Sequence, residues 1–378
     1  MHVNVAVIGR GMIGSAAARH LAESGTSTAL VGPLEPAERK NSQGPFSSHP
    51  DEGRITRIFG RTPVWAALAA ASLARYDDIA SRSGIEFYVR SGCAAVFPDA
   101  STWIDAAAGY DLDAEMVSDE WLLEHTGIVA PPGNEIAFES SPAGHINPRR
   151  LVAAQAKLAH LAGAHHVVEA ASRISRVPAG YEVGGDWGSI TADRVLVTTG
   201  AFGSELLGVQ LDVERRARTM LMAETQLMPS LPNLISVAPD ERLHEIYFCP
   251  PVPYPFAKTC LKIGGNMVNT RVLKPDELVD WFHTDGEPAE MEALENSLRA
   301  LLPEIDIASI TTAPCVVTGT PSGHPYIGFV DDGIAVAIAG NGSAAKSSDE
   351  LGRLGASLVA AGEWTDTLDP SIFTPEFA

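Results

Sequence analysis

The chain has 378 residues, with 47 Asp and Glu against 27 Lys and Arg and a formal net charge of −20. That charge repels phosphate backbones and anionic lipid, so neither nucleic acid nor a membrane is an expected partner. The length exceeds what one core normally organises, so two domains are expected, and the 45% hydrophobic content belongs to an ordinary globular protein. No apolar run of 18 residues, no basic stretch leading into a hydrophobic one and no terminal lipidation signature occurs. The expectation is a cytoplasmic protein, a monomer or small homo-oligomer. Cys93, Cys249, Cys260 and Cys315 form no C-x-x-C pair, and the 11 histidines show no H-E-x-x-H spacing. No metal site is expected, and the cysteine usage suits a reducing compartment.

In chain order, the first 32 residues spell strand, glycine turn, helix and second strand. Gly9, Gly11 and Gly14 fit the G-x-G-x-x-G spacing. The first glycine allows the tight turn, the second lets the backbone approach a pyrophosphate, and the third lets helix and sheet pack closely. Phosphates then sit at a positive helix N-terminus, beside Met12 and Ile13. The predicted site is for a dinucleotide. At the end of the second strand, where a ribose-binding acid is expected, stands Gly32; the nearest carboxylate is Glu35. Either Glu35 reaches the ribose from a longer loop, or backbone groups replace it, or it is a solvated loop residue. No Arg or Lys precedes Arg39 after that strand, which disfavours a 2′-phosphate.

A polar loop follows from Asn41 to Gly53, then a helix from about Pro63 to Ser83, and a strand from Phe87 to Phe97. Residues 99–142 read as short helices and loops, and 148–162 as an amphipathic helix opened by Asn147 and Pro148. Strands are expected at 167–172, 180–183, 189–191 and 194–199, the last running into Gly200. Between about 213 and 310 the pattern changes to antiparallel strands at 219–225, 246–248 and 260–264, with two helices in 276–302. Strands at 316–318, 326–330 and 334–339 lead to Gly340-Asn341-Gly342-Ser343 and a closing helix from Ser347 to Ala361. Ser347, Ser348 and Asp349 read as caps of that helix, whose N-terminus is suited to negative charge on a bound redox ring.

Five segments together resemble the flavin-dependent amine and amino-acid oxidases of the D-amino-acid oxidase superfamily, in the branch of monomeric sarcosine oxidase and N-methyltryptophan oxidase. They are the opening GRGMIG, the run Ser47 to Arg57, Val197 to Phe202, Ala313-Pro314-Cys315, and Gly340 to Lys346. The implied fold is α/β: a Rossmann-type FAD-binding domain from discontinuous segments (1–80, 145–212 and 313–378) plus a mostly antiparallel α+β substrate domain (81–144 and 213–312).

The resemblance further implies that FAD is the cofactor. Gly9, Gly11, Met12, Ile13, Gly14, Glu35, Ser48, Arg54, Gly200, Cys315, Gly340, Asn341, Gly342 and Ser343 would line its site. Arg54 would lie against the flavin, and Arg57 would hold the substrate carboxylate through a guanidinium fork. His49 falls beside a flavin-site histidine. Cys315 corresponds to a cysteine that carries the flavin covalently, and Lys346, within one residue of extra loop, to a lysine that promotes reaction with oxygen. If that extra residue falls after the matching position, Ala344 or Ala345 takes the place instead. Val317 and Asn266 stand where a tyrosine and a histidine are expected. Tyr247, Phe248 and Tyr254 are candidates for an aromatic wall, each equally explicable as core.

The expected activity is oxidation of a secondary amine or N-alkyl amino acid by hydride transfer to flavin N5. The imine hydrolyses, and O2 takes the electrons as H2O2. The rival readings are a flavin dehydrogenase with another acceptor and a non-catalytic nucleotide-binding protein.

Overall fold

The computed structural model describes residues 1–47, 51–203, 206–256 and 258–378. Its first sheet is built on the apolar run of strand His2–Ile8, which lies parallel between Thr28–Val31 and Gly188–Val197. His165–Val167 extends it beyond Thr28–Val31, and Ile334–Ile338 joins Gly188–Val197, both in parallel. One face of this sheet (Val5, Val7, Leu30, Leu196) packs against Met12–Glu23, Pro148–Leu161 and Ala344–Ala361, and the other (Ala6, Ile8, Val31, Val197) against strand and loop residues such as Tyr181, Val183, Leu207 and Tyr326. The expected strands at 189–191 and 194–199 are one strand, and Arg173–Val177 pairs with Gly180–Gly185 as an antiparallel hairpin on the sheet.

The second sheet has eight strands in the order Ser309–Gly319, Glu214–Glu224, Thr259–Met267, Leu243–Pro253, Asn233–Val237, Cys93–Phe97, Glu135–Ser141 and Asp113–Val117. All neighbours are antiparallel except Asn233–Val237 against Cys93–Phe97. The α/β class with a discontinuous Rossmann-type unit and a second, mostly antiparallel unit is therefore what the chain adopts. Ser309–Gly319 pairs along its whole length with Glu214–Glu224, so residues 313–319 belong to this second sheet.

The expected strand at 167–172 does not form, since His165–Val167 ends there and the next strand begins only at Arg173, and two further segments depart from expectation. The single strand at 87–97 is two strands in different sheets, because Gly92 turns the chain at φ 70° and Tyr88–Arg90 pairs instead with Gly144–Ile146. The stretch 99–142 contains strands Asp113–Val117 and Glu135–Ser141 as well as short helices.

The closing helix begins at Ala344 rather than Ser347, and its N-cap Ser343 makes no side-chain cap bond. Asp349 is therefore inside the helix and does other work. Its fully buried carboxylate accepts from Arg19 Nη2 (2.7 Å), Arg75 Nε (2.5 Å) and Gln155 Nε2 (2.7 Å). These donors sit on Met12–Glu23, Pro63–Ser83 and Pro148–Leu161, so one carboxylate ties four helices. The first and last of the four approach closely: a Cβ on Gly352 would come within 2.7 Å of Ala16 Cβ and the Ala17 amide.

Burial alone would raise the Asp349 pKa, but the bond to His20 and the charges of His20, Arg19 and Arg75 outweigh it and hold the carboxyl well below its usual range. A depressed carboxyl stabilises the fold above its unfolded pKa and loses that contribution as pH falls. Asp349→Asn leaves buried cations uncompensated and is expected to cost about 3 kcal/mol or more. Thermal unfolding should show a lower Tm at neutral pH, with the difference from wild type narrowing as pH drops below about 4.

Candidate active site

A cavity of about 1090 Å³ opens where the two units meet, lined on one side by Gly9, Gly11, Met12 and Ile13 and on another by Gly340, Asn341, Gly342, Ala344 and Ala345. The glycine turn is as tight as the motif demands: Gly9 has φ 114°, and a Cβ there would lie 2.6 Å from Thr198 O. A Cβ on Gly14 would come within 1.8 Å of Gly9 O, whereas one on Gly11 would meet nothing within 4 Å. Gly14 thus serves close packing, and Gly11 keeps the cavity floor clear. At the other end, Ala339, Asn341 and Gly342 all have positive φ, and Asn341 is held by Thr320 N (2.9 Å) and Ala339 O (2.7 Å). The turn brings backbone up to the cavity. Ser343 does not line it.

The missing ribose acid has a steric cause. A Cβ at Gly32 would lie 2.8 Å from the Arg10 amide nitrogen, so no carboxylate fits there. Glu35 does line the cavity, paired with Arg149 (3.2 Å), and burial pushes its pKa up. The cavity wall also holds buried polar atoms without a partner: Arg10 Nη1, Ser47 Oγ, His166 Nε2 and Thr199 Oγ1. Such orphans call for a polar ligand. A glycine-floored helix N-terminus, an acid, unsatisfied donors and acceptors, and apolar walls at Val316 and Val317 fit FAD.

Arg54 lines the same cavity and bonds both oxygens of Asp51 through Nε (2.8 and 3.0 Å). Asp51 is shared with Lys262, whose ammonium lies 2.5 Å from Oδ2 and 2.9 Å from Gly53 O. Burial lowers the Lys262 pKa, but Asp51 overrides this and leaves it raised, so two buried cations share one carboxylate and the cluster carries net positive charge. Lys262 was not singled out from sequence, although a lysine inside the apolar strand Thr259–Ile263 was the available signal. Cys315 faces this cluster, buried among Met220, Met222, Tyr254 and Cys260, with Arg54 Nη2 4.0 Å from Sγ. Cys315 itself does not line the cavity, although its strand neighbours Val316, Val317 and Thr318 do.

Arg57 and Lys346 come together elsewhere. Lys346 does not line the cavity; Ala344 and Ala345 do, and the helix carries Lys346 inward to donate to Trp65 O at 3.2 Å. Arg57 donates to Phe59 O and lies over the rings of Phe59 and Trp103, at 5.3 and 4.9 Å. A methyl on Gly60 would be 3.2 Å from Arg57 Nη1 and 3.9 Å from Lys346 Nζ, so both cations flank one backbone position. Neither forms an ion pair among the described residues, and Arg57 Nε has no partner. Burial lowers the pKa of both, and for Lys346 the neighbouring Arg57 adds to it.

The aromatic candidates divide. Tyr247 and Phe248 point to opposite faces of their strand. Tyr247 lies over Lys262 (5.2 Å), but Phe248 is fully buried among Leu221, Leu234 and Leu294 and is a core residue, not a wall of the site. Tyr254 sits in the Cys315 cluster. Asn266 accepts from Arg218 Nε (3.1 Å) and donates to Glu245, which pairs with Arg61. Ser48 and His49 lie outside the described residues. Among the described residues no cluster of His, Cys, Asp or Glu could hold a metal ion, and no helix is long and apolar enough to cross a membrane.

The family of FAD dependent oxidoreductases matches residues 4–358, and the chain belongs to it. It is an FAD-dependent oxidoreductase. Monomeric sarcosine oxidase of Streptomyces avermitilis is 26% identical over 375 residues, covering 95% of this chain and 94% of that protein. N-methyl-L-tryptophan oxidase of Yersinia pestis is 26% identical over 213 residues, 55% of this chain and 56% of that protein. Among solved structures, NikD, an amino acid oxidase essential for nikkomycin biosynthesis, shares the fold with TM-score 0.80 at 19% identity, covering 100% of this chain and 98% of NikD. L-proline dehydrogenase from P. horikoshii does so with TM-score 0.77 at 15% identity, covering 99% of this chain and 96% of that one.

Proposed function

We propose that the protein is an oxidase of a secondary amine or N-alkyl amino acid, with the substrate carboxylate held between Arg57 and Lys346 and O2 as electron acceptor. The observation that carries this reading is the pair of buried cations at Gly60, which form no ion pair among the described residues, with Phe59 and Trp103 packed against Arg57. A guanidinium fork in an apolar setting orients a carboxylate and binds it more strongly than an exposed one would. The likeness to sarcosine oxidase across nearly the whole chain supports an N-alkyl amino acid.

Bound FAD supplies a two-electron acceptor for the hydride that leaves the carbon beside nitrogen. Arg57 and Lys346 fix that carbon by its neighbouring carboxylate. Arg54 and Lys262 keep a net positive charge beside the cavity, suited to negative charge developing on oxygen. In this reading the oxygen-side role suggested for Lys346 passes to Lys262, because Lys262 shares a carboxylate with the cavity-lining Arg54. The imine product hydrolyses in water, and the two electrons and two protons reach O2 as H2O2.

A screen of N-methyl amino acids against amines without a carboxylate, watching flavin absorbance without oxygen, tests the reading. Bleaching by the acids, followed by oxygen uptake and peroxide on aeration, is expected. Bleaching without oxygen uptake would make the protein a dehydrogenase.

Arg57→Met should weaken binding of acidic substrates by more than about tenfold while leaving uncharged amines nearly unchanged. Equal losses for both would make Arg57 structural. Lys262→Met should slow flavin reoxidation about a hundredfold or more, with a much smaller effect on anaerobic reduction. Stopped-flow traces of the two half-reactions separate these. We also propose that Cys315 carries the flavin through a thioether; acid precipitation should leave colour in the wild-type pellet and release it from Cys315→Ala.

A further inference from the structure

Arg10 and His166 meet at the end of the cavity where the second strand of the nucleotide unit stops. Arg10 is the middle residue of the Gly9 to Gly11 turn, and His166 lies on His165–Val167, whose pairing with Thr28–Val31 sets it beside Leu30. Both residues line the cavity. Arg10 Nη2 is 3.2 Å from His166 Nδ1, while Arg10 Nη1 and His166 Nε2 are buried and have no partner.

A guanidinium has hydrogens to give and no lone pair to offer, so its bond fixes the imidazole: Nδ1 accepts, and the ring proton sits on Nε2. Burial, with the Arg10 charge second, holds His166 down to about 4, which keeps the ring in that neutral form. The cavity therefore receives two neighbouring N–H groups and one positive charge. Arg10 forms no ion pair among the described residues. Glu35 gives its two oxygens to Arg149, at 3.2 and 3.3 Å, so its carboxylate is already engaged.

A dinucleotide fold ordinarily places an acid at the end of its second strand, where it accepts from the ribose hydroxyls of the adenosine half. Gly32 stands at that point, and a Cβ there would meet Arg10 N at 2.8 Å and Arg10 Cβ at 3.0 Å. The residue whose backbone excludes the acid is thus the one that brings the guanidinium. A hydroxyl accepts as readily as it donates, and an arginine beside the ribose suits a negative group on it.

We propose that Arg10 and His166 bind the adenosine ribose of FAD by donating to its oxygens. The subsite then has the opposite polarity to an acid-bearing one, and it accepts a negative group on that ribose instead of repelling it. Its ligand class is an adenosine 5′-phosphate, with or without an anionic 2′ substituent. These contacts concern the FAD site alone and hold whichever amine the enzyme oxidises.

The test uses the full chain carrying Cys315→Ala, from which the flavin can be removed whatever its linkage in the wild type. Calorimetric titration of this apoprotein compares AMP with adenosine 2′,5′-bisphosphate. The bisphosphate should bind at least about tenfold more tightly, because its 2′-phosphate takes a charge-assisted bond from Arg10 that a neutral hydroxyl cannot match. Equal or weaker binding of the bisphosphate overturns the proposal, with no variant at either residue needed.

Adding Arg10→Met should erase the preference and weaken FAD binding, read by quenching of flavin fluorescence, by about tenfold or more. FMN lacks the adenosine and should bind Arg10→Met as it binds the parent chain. His166→Phe keeps a ring in place and should likewise weaken FAD but not FMN. Equal losses of FAD and FMN in both variants would make the pair a structural part of the turn and overturn the proposal as well.

Discussion

The fold hangs on a carboxylate that no solvent reaches. Asp349 collects Arg19, Arg75 and Gln155 from three helices onto a fourth, and two of the four helices present their N-termini to the cavity. A charge in such a place is tolerable only when its lone pairs are filled, and the donors are equally costly to leave unpaired. The arrangement fixes the glycine turn at residues 9–14 relative to the turn at 340–345, so the spacing of the two dipoles across the cavity is set by a buried salt bridge some distance from either. Gly352 adds a steric requirement to the electrostatic one, because the same two helices touch with no room for a methyl.

How much of this could be read from sequence depended on whether the signal was local. Helices Pro63–Ser83 and Pro148–Leu161 carry proline in the first turn and a side-chain cap, and their limits were legible. The glycine turn was equally plain, since its three glycines answer to contacts within one supersecondary unit. Asp113–Val117 was not, because an edge strand with exposed polar residues has little apolar alternation to show. The same applies to the break at Gly92, which only the pairing of its flanks with different sheets makes visible.

Site residues followed a similar rule. Motif positions that touch the cavity through backbone could be assigned, Gly11 from its spacing and Gly200 and Gly342 from the family resemblance. Those that depend on side-chain direction could not. One step along a helix turns a side chain by roughly 100°, which takes Lys346 from the cavity that Ala345 lines to the interior beside Arg57. One step along a strand reverses it, which separates Tyr247 from Phe248. Arg218 and Lys262 escaped notice for another reason: each takes its meaning from partners at least 48 residues away in sequence.

The placement of strand Ser309–Gly319 has a thermodynamic consequence. It belongs to the second sheet by hydrogen bonding, yet Val316, Val317 and Thr318 form part of the same cavity wall as Gly9 and Ile13 of the first unit. A ligand filling that space acts as a rivet between two sheets already joined by a shared core, in which Leu151, Ala154 and Leu158 pack with Cys93, Ala95 and Ala137. Its binding free energy is then shared by both, since a molecule that binds only the assembled state stabilises it by RT ln(1 + [L]/Kd). Loading with cofactor should therefore raise the unfolding temperature of the whole chain, and loosening either sheet should weaken the hold on the cofactor by the same coupling.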